Sequence, residues 1–282
     1  MSDIAKIVGQ RIRNYRTQLG LSQEKLAELS NLLSKDFKQN KIGIKINIGN
    51  KKDKNKISPE FYRPLVNYFH GTVIDTNSLY VSYEKNIEGF SKYFETELLD
   101  KDSPDDEIEI KDSEILKKTY VGQNLKNFDS FIIISNYFDN RELGGVGAIS
   151  ELAIGLSSKK GKILQMTGGK SDDLSVIRSK KCDDKLFKEI SAEVALNIYN
   201  YIKRNVIFIN ILGNINSENP ENIGIFASDD PVALDKASID FIYFAKNKNM
   251  IQRVEDLDEK YLIDCGEKLG IGKKDYELIM IN

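Results

Sequence analysis

The spacing of apolar residues along the chain predicts alternating strands and helices. Residues 131–134 form a continuous apolar run, and residues 206–212 are apolar except for Asn210; both patterns are typical of buried strands. Residues 41–48 alternate isoleucine with more polar or smaller residues and therefore predict a half-buried strand. Residues 185–203 repeat apolar side chains every three or four positions, as an amphipathic helix does. Tyr276–Ile281 is predicted to be a final strand.

The order of the elements predicts how the sheet is connected. Ser58 is placed to cap a helix that starts at Pro59, and that helix leads to a short strand at Thr72–Asp75. A strand, helix and strand in this order predict parallel pairing with a right-handed crossover. Asp230 and Pro231 repeat the cap-and-proline pattern for a later helix. The predicted fold class is α/β, a mostly parallel sheet flanked by helices, with a short helical N-terminal appendage.

That appendage comprises residues 4–29, which predict two helices separated at a glycine and a serine cap. The pattern R-I-R-x-x-R-x-x-x-G-L-S-Q-E-x-L-A resembles the first two helices of the lambda-repressor/Cro-type helix-turn-helix family. The resemblance implies that Gln23 would lie at the phosphate backbone of DNA, with Arg11, Arg13 and Arg16 nearby.

The resemblance ends before the recognition helix. The chain continues into the first predicted strand, so the module is truncated, and residues 1–30 carry only five basic against three acidic residues. Two alternatives stay open: a DNA-binding segment, or two surface helices of the following domain. The predicted division is a helix-turn-helix-like segment at 1–31 and an α/β domain at 32–282.

Composition narrows the classes of function. The chain of 282 residues has a formal net charge of −2, so no overall field attracts it to nucleic acid or to a membrane surface. Charge is sorted locally, with eight lysines in residues 35–56 and ten acids in residues 95–114, and such runs are solvated faces or partner-binding surfaces. With no long apolar span and no signal-peptide pattern at the start, the expectation is a cytoplasmic protein with no membrane partner.

Residues 131–162 are the best candidate for a binding site. A buried strand leads into a glycine cluster, an apolar segment and a polar stretch that ends in Gly161-Lys162. Glycine-rich connections after strands commonly present backbone N–H groups to anions. A small anionic ligand is therefore predicted. The candidate residues are Lys45, Asn77, Gly147, Ser157, Ser158 and Lys162.

Two nucleotide motifs are close to this pattern but do not fit it. Five residues separate Gly155 from Gly161, and Ile163 follows Lys162, whereas a P-loop needs four residues between its glycines and Ser or Thr after its lysine. A dinucleotide fingerprint would need its glycines directly after the strand, and Gly145 comes nine residues too late. No nucleotide cofactor is predicted.

From residue 32 onward the chain resembles a bacterial and archaeal family, number three hundred and sixty-two of the domains of unknown function, often labelled an iron–sulfur-centre protein. The segments that carry the resemblance are KIGIKINIGN, FYRPLV, GTVIDTN, FDSFIIISNYF, GGVGAISELAIGLSSKKGK, IGIFASDDPVALDKASIDFIY and EKLGIGKKDYELI. The resemblance implies an α/β fold of unknown activity. Many members add a ferredoxin-like segment with cysteine motifs.

The chain departs from that family where metal ligands or proton carriers would stand. Asn47 replaces a histidine, Asn136–Asn140 replaces a His-Phe-Lys-Gly-His corner, and Ser150-Glu151 replaces Lys-Asn. The family's cysteine clusters are absent, and the two cysteines of the sequence are far apart, so no iron–sulfur cluster and no metal site are predicted.

Single reactive residues offer little further chemistry. His70 is predicted at a helix end, Cys182 is predicted to be exposed in a charged run, and Cys265 is predicted to pack in the last helix. The leading hypothesis is a non-catalytic family member that binds a small anion or a protein partner. The alternatives are a DNA-binding regulator and an enzyme of unknown chemistry that uses Lys45 or Lys162.

Overall fold

The main sheet contains six strands. The computed structural model describes residues 41–48, 57, 59–79, 89–101, 104–111, 113, 115–136, 147–212, 224–245, 248–256 and 258–279. In spatial order the strands are β3 (Thr96–Leu98), β2 (Thr72–Asp75), β1 (Ile42–Lys45), β6 (Ser130–Asn136), β7 (Val206–Leu212) and β8 (Gly224–Ser228). A separate antiparallel pair consists of β4 (Asp106–Glu109) and β5 (Lys118–Val121).

The chain leaves the central strand in both directions. From β1 it steps outward to β2 and β3, and later it returns to the other side of β1 and steps outward through β6, β7 and β8. All neighbours are parallel except β7 and β8, which are antiparallel. The topological switch point therefore lies between β1 and β6, where open α/β sheets commonly bind ligands beyond the carboxyl ends of the strands. The predicted α/β class and the mostly parallel sheet are confirmed.

Helices cover the sheet. They are α1 (Pro59–Phe69), α2 (Ala148–Ser150) with a π-helical turn that continues it (Glu151–Gly155), α3 (Lys159–Met166), α4 (Ile177–Lys180), α5 (Asp184–Tyr201), α6 (Pro231–Phe244), α7 (Lys248–Asp256) and α8 (Glu259–Lys268). Short 3₁₀ turns lie at Gln123–Asn127 and Leu174–Val176. The predicted cap of α6 is confirmed, since Asp230 Oδ1 accepts hydrogen bonds from Val232 N and Ala233 N, with Pro231 next in the chain.

The prediction that β1 is half buried is wrong. All four of its residues are buried, and Lys45 exposes only 2% of its surface. Ile44 belongs to an apolar cluster that includes residues of α1, while Ile133, the β6 partner of Lys45, belongs to a second cluster with residues of α2 and α5. A central parallel strand is covered on both faces, so the lysine of the alternating pattern points into the protein rather than into water.

The predicted strand at the C-terminal end is also wrong for the part that the structure describes. Residues up to 279 form no strand, and Leu278 and Ile279 are 60% and 58% exposed. Instead, the segment contacts α6 and its cap. Lys273 N donates a hydrogen bond to Asp230 Oδ2, and Tyr276 Oη donates one to Asp240 Oδ2. Apolar residues with strand propensity form a strand only where a sheet edge is within reach.

Candidate functional site

Lys45 lies at the carboxyl end of the central strand β1. Its ammonium group is 2.8 Å from Asp75 Oδ1 and 3.4 Å from Glu151 Oε2, and it donates a hydrogen bond of 3.2 Å to the carbonyl oxygen of Ile46. The lysine side chain and both carboxylate side chains are at least nine-tenths buried. Charges removed from water in this way need close partners, and three oxygen atoms surround this ammonium group.

Asp75 is held in place by the backbone as well as by Lys45. Its Oδ1 accepts a hydrogen bond from Thr76 N at 2.8 Å, and its Oδ2 accepts one from Ile48 N at 3.0 Å. The carboxylate therefore ties the carboxyl end of β2 to the chain just beyond β1. Sequence reasoning used Asp75 only to mark the end of a strand. Its position directly before the polar pair Thr76-Asn77 was the available signal.

Glu151 begins the π-helical turn that follows α2, and its side chain is fully buried. It packs directly on Gly155, where an added Cβ atom would lie 2.0 Å from Glu151 Oε2. Glycine at 155 therefore makes room for the carboxylate beside Lys45. Sequence reasoning missed the contact of Glu151 with Lys45 because the two residues lie on elements that are far apart in the chain.

A second buried lysine contacts Thr76 and Asn77, the two residues that follow Asp75 in the chain. Lys162, on α3, donates hydrogen bonds to Thr76 Oγ1 at 2.7 Å and to the carbonyl oxygen of Asn77 at 2.6 Å. Thr76 Oγ1 in turn donates to the carbonyl oxygen of Gly155 at 2.9 Å. The cluster of Lys45, Asp75, Glu151 and Lys162, here called the charge cluster, thus contains two ammonium groups and two carboxylates.

The two predicted serines take up local roles at the start of α3. Ser158 is its N-cap: Oγ accepts from Gly161 N at 3.3 Å and donates to Asp105 Oδ2 at 2.5 Å. Ser157 Oγ donates to the carbonyl oxygen of Ala153 at 2.6 Å. The helix therefore starts at a fixed point beside the charge cluster.

Asn77 and Asp100 form the outer rim next to these serines. Asn77 N and Nδ2 both donate to Asp100 Oδ1, at 2.8 and 3.2 Å, and Lys159 N donates to Asp100 Oδ2. Burial, with a further contribution from the charge of Asp100, raises the pKa of Asp105, while the hydrogen bond from Ser158 opposes the rise. The rim therefore carries two carboxyl groups, those of Asp100 and Asp105, although the residues below it include two lysines.

Gly147 lies at the start of α2, where its neighbour is Asp235 rather than either lysine. Its φ of 102° is one that favours glycine, and a Cβ atom there would be 2.5 Å from Asp235 Oδ1. Asp235, on α6, accepts hydrogen bonds from Ala148 N at 2.7 Å and Ile149 N at 3.0 Å. The chain's own carboxylate thus occupies the first turn of α2, the place where a helix start would otherwise attract an anion.

The remaining predictions about single residues have mixed outcomes. His70 follows α1 with a φ of 48° and is exposed, which confirms the predicted helix end. The prediction that Cys182 is exposed is wrong: it is 7% exposed, its Sγ lies against the carbonyl oxygen of Gln165, and burial raises its pKa. The charged residues around it in sequence face outward, while the thiol packs inward. Burial also raises the pKa of Cys265.

Several predictions fall on parts of the chain that the structure does not describe. Arg11, Arg13, Arg16 and Gln23, with the proposed boundary at residue 31, lie outside the described residues. Within the described residues, no group of three or more histidine, cysteine, aspartate or glutamate side chains could hold a metal ion. The helices in the described ranges include none that is long and apolar enough to cross a bilayer.

The architecture defines the class of protein as an open, mostly parallel α/β domain with a buried charge cluster at the carboxyl ends of β1 and β2. The family model described as Domain of unknown function (DUF362) matches residues 42–240, and the chain belongs to that family. Among proteins with curated descriptions, no relative was found.

A solved structure gives a more distant likeness. It is the crystal structure of a protein from Thermotoga maritima, a target of the Northeast Structural Genomics Consortium, with 13% sequence identity and a TM-score of 0.45. The match covers 83% of this chain and 59% of that one, so this chain spans less than two thirds of the length of that protein.

Proposed function

We propose that this family member is a non-catalytic binding protein whose ligand is a small anion, bound where Lys45 and Lys162 converge. The observation that carries the proposal is that two buried ammonium groups, from distant parts of the chain, contact the consecutive residues Asp75 and Thr76. Asn77 follows Thr76 directly, and Ser157 and Ser158 lie at the start of α3, the helix that carries Lys162.

The surroundings of Lys45 argue for binding rather than chemistry. An amine acts as a nucleophile through its lone pair, whereas the Lys45 nitrogen has oxygen atoms from Asp75, Glu151 and Ile46 around it and is stabilised as an ammonium ion. The two thiols have raised pKa values and are therefore poor nucleophiles near neutral pH. The alternative of an enzyme that uses Lys45 as a nucleophile is consequently not favoured.

The charge cluster also predicts what limits the affinity. Two lysines and two carboxylates balance, so an incoming anion meets no net positive charge while Asp75 and Glu151 are both ionised. Of the two carboxylates, Glu151 makes the longer contact with Lys45, by 0.6 Å (3.4 against 2.8 Å). Neutralising Glu151 would leave a net positive cluster and should strengthen anion binding.

The test measures thermal stabilisation by inorganic phosphate, sulfate and pyrophosphate. We expect at least one of them to raise the melting temperature, Lys162→Met to abolish the rise, and Glu151→Gln to lower the anion concentration needed for it. Lys170→Met, at an exposed position outside the cluster, is the matched control and should respond like the original chain. An equal response in the Lys162 and Lys170 variants, or none in any variant, overturns the proposal.

The DNA-binding alternative rests on the resemblance at residues 4–29 and stays a prediction. It requires duplex binding that weakens with salt and is lost when Arg13 and Gln23 are replaced. A duplex-binding measurement on the intact chain at low salt tests it directly. No binding under those conditions would eliminate it.

A further inference from the structure

A pair of buried polar side chains lies one step away from the charge cluster, on the other side of the switch point. Ser135 on β6 and Asn210 on β7 are opposite each other in the parallel register, near the carboxyl ends of both strands. They are 1% and 0% exposed. Side chains in register on adjacent strands project from the same face of the sheet, so the two groups are neighbours.

The orientation of the Asn210 amide is determined by its contacts. Its Nδ2 donates to Asp235 Oδ1 at 2.8 Å and to Ser238 Oγ at 3.0 Å, which uses both hydrogens. A carboxylate accepts hydrogen bonds and does not donate them, so the reverse orientation of the amide is excluded. Asn210 Oδ1 is therefore an acceptor directed away from Asp235.

Two atoms of this pair, Ser135 Oγ and Asn210 Oδ1, lack a hydrogen-bond partner in the described part of the chain. Ser135 Oγ and Asn210 Oδ1 are both buried, and in the described ranges neither makes a hydrogen bond. Buried polar atoms are almost always paired, so an orphaned hydroxyl beside an orphaned carbonyl requires an occupant. Asn210 Oδ1 can only accept, and the occupant must therefore bring a hydrogen-bond donor.

We infer that Ser135 and Asn210 form a subsite for a donor group of the bound ligand, and that the ligand is a short anion that also bears a hydroxyl or amino group. The inference rests on the proposed anion site. Lys45 is in register with Ile133, two residues before Ser135 on the neighbouring strand and on the same face. The Cα atoms of Lys45 and Ser135 are therefore about 8 Å apart, so the two side chains start within the length of a small ligand.

The competing occupant is a single ordered water molecule that belongs to the fold. Buried waters of this kind complete the hydrogen bonds of polar groups in many proteins. The two occupants make opposite predictions for Ser135→Ala. Removing a hydroxyl that is unpaired without ligand should leave the melting temperature of the ligand-free protein unchanged or raise it, whereas removing one that holds a structural water should lower it.

The experiment compares matched probes on the full-length chain. Glycerol 3-phosphate carries hydroxyl donors, 2-aminoethyl phosphate carries an ammonium donor, and propyl phosphate carries neither. We expect one of the two donor-bearing probes to bind about tenfold more tightly than propyl phosphate, the effect of one well-placed hydrogen bond. Ser135→Ala should bring that ratio close to one and leave the affinity for propyl phosphate unchanged.

The control is Ser130→Ala on the same strand. Ser130 is also buried, but its Oγ accepts a hydrogen bond of 2.6 Å from Asn205 Nδ2. This variant should lower the melting temperature and preserve the ratio between probes. Equal binding of all three probes, or a ratio unaffected by Ser135→Ala, overturns the subsite and leaves the anion site intact. No binding of any phosphate probe overturns both.

Discussion

Removal of the Lys45 ammonium group should show how strongly the charge cluster holds the sheet together. In Lys45→Met the side chain keeps its approximate length, but the carboxylates of Asp75 and Glu151 lose the cation that lies 2.8 and 3.4 Å from them. Both remain buried. Removing one partner of a buried ion pair is costly because the other charge stays out of water.

The expected loss is about 3–5 kcal/mol of unfolding free energy, the range measured when one member of a buried pair is removed. Asp75 keeps its two backbone donors, Thr76 N and Ile48 N, and these should limit its share of the loss. For a domain of this size the loss corresponds to a fall of about 6–20 °C in melting temperature. It is a large part of a total stability of about 5–15 kcal/mol.

Urea unfolding followed by far-ultraviolet circular dichroism is a suitable assay, since the chain has no tryptophan for a fluorescence measurement. Lys170→Met is the exposed control, and the double variant Lys45→Met/Glu151→Leu should recover part of the loss because it also removes a buried carboxylate that has lost its cation. The reasoning is refuted if Lys45→Met costs no more than Lys170→Met, or if the double variant is less stable than the single one.

Three further perturbations test other contacts of the site. Gly155→Ala should cost about 1–3 kcal/mol of unfolding free energy because its Cβ would overlap Glu151 Oε2. The cost should largely disappear in a Glu151→Ala background. A cost independent of residue 151 would contradict the contact. Asp235→Ala should cost about 2–3 kcal/mol of unfolding free energy because it leaves the N–H groups of Ala148 and Ile149 without this acceptor. Added formate should restore part of that stability. No response to formate in denaturant unfolding would count against this account. Burial raises the folded-state pKa of Asp105 above its ordinary value of 3.8, so the fold loses stability as this carboxyl ionises with rising pH. Asp105→Asn should therefore gain in melting temperature relative to the original chain as the pH rises from about 4. A difference between the two proteins that shrinks as the pH rises would contradict the sign.

Local sequence signals predicted the framework correctly. The largely apolar segment at 206–212 is strand β7 with the same bounds, and Asp230 caps the helix that begins at Pro231. Such signals succeed because a buried strand and a helix cap depend on residues that are close together in the chain. Where the predicted element needed a distant partner, as at Tyr276–Ile281, the same local reasoning was wrong.

The chemistry of the site was less accessible from sequence. Lys45 lies in a segment that carries the family resemblance, and Lys162 follows a glycine at the end of a polar stretch, so both could be selected as candidates. Their contacts could not be predicted in this way. Lys45 contacts Asp75 and Glu151, which belong to different elements of the chain. Asp235 has no distinguishing motif in the sequence, yet its carboxylate accepts a hydrogen bond from Ile149 N, 86 residues earlier in the chain. Neither contact has a signature in residue spacing.

The sequence by itself therefore determined the class of fold, the buried strands β6 and β7, and the choice of Lys45 and Lys162 as candidate residues. Periodicity and caps are properties of neighbouring residues, so they can be read along the chain. Only the tertiary structure decided that Lys45 is buried between two carboxylates, that Asp235 occupies the start of α2, and that Ser135 and Asn210 share an unpaired polar site. Those features depend on which distant segments the sheet and its crossovers bring together, because burial and charge pairing act through space rather than along the sequence.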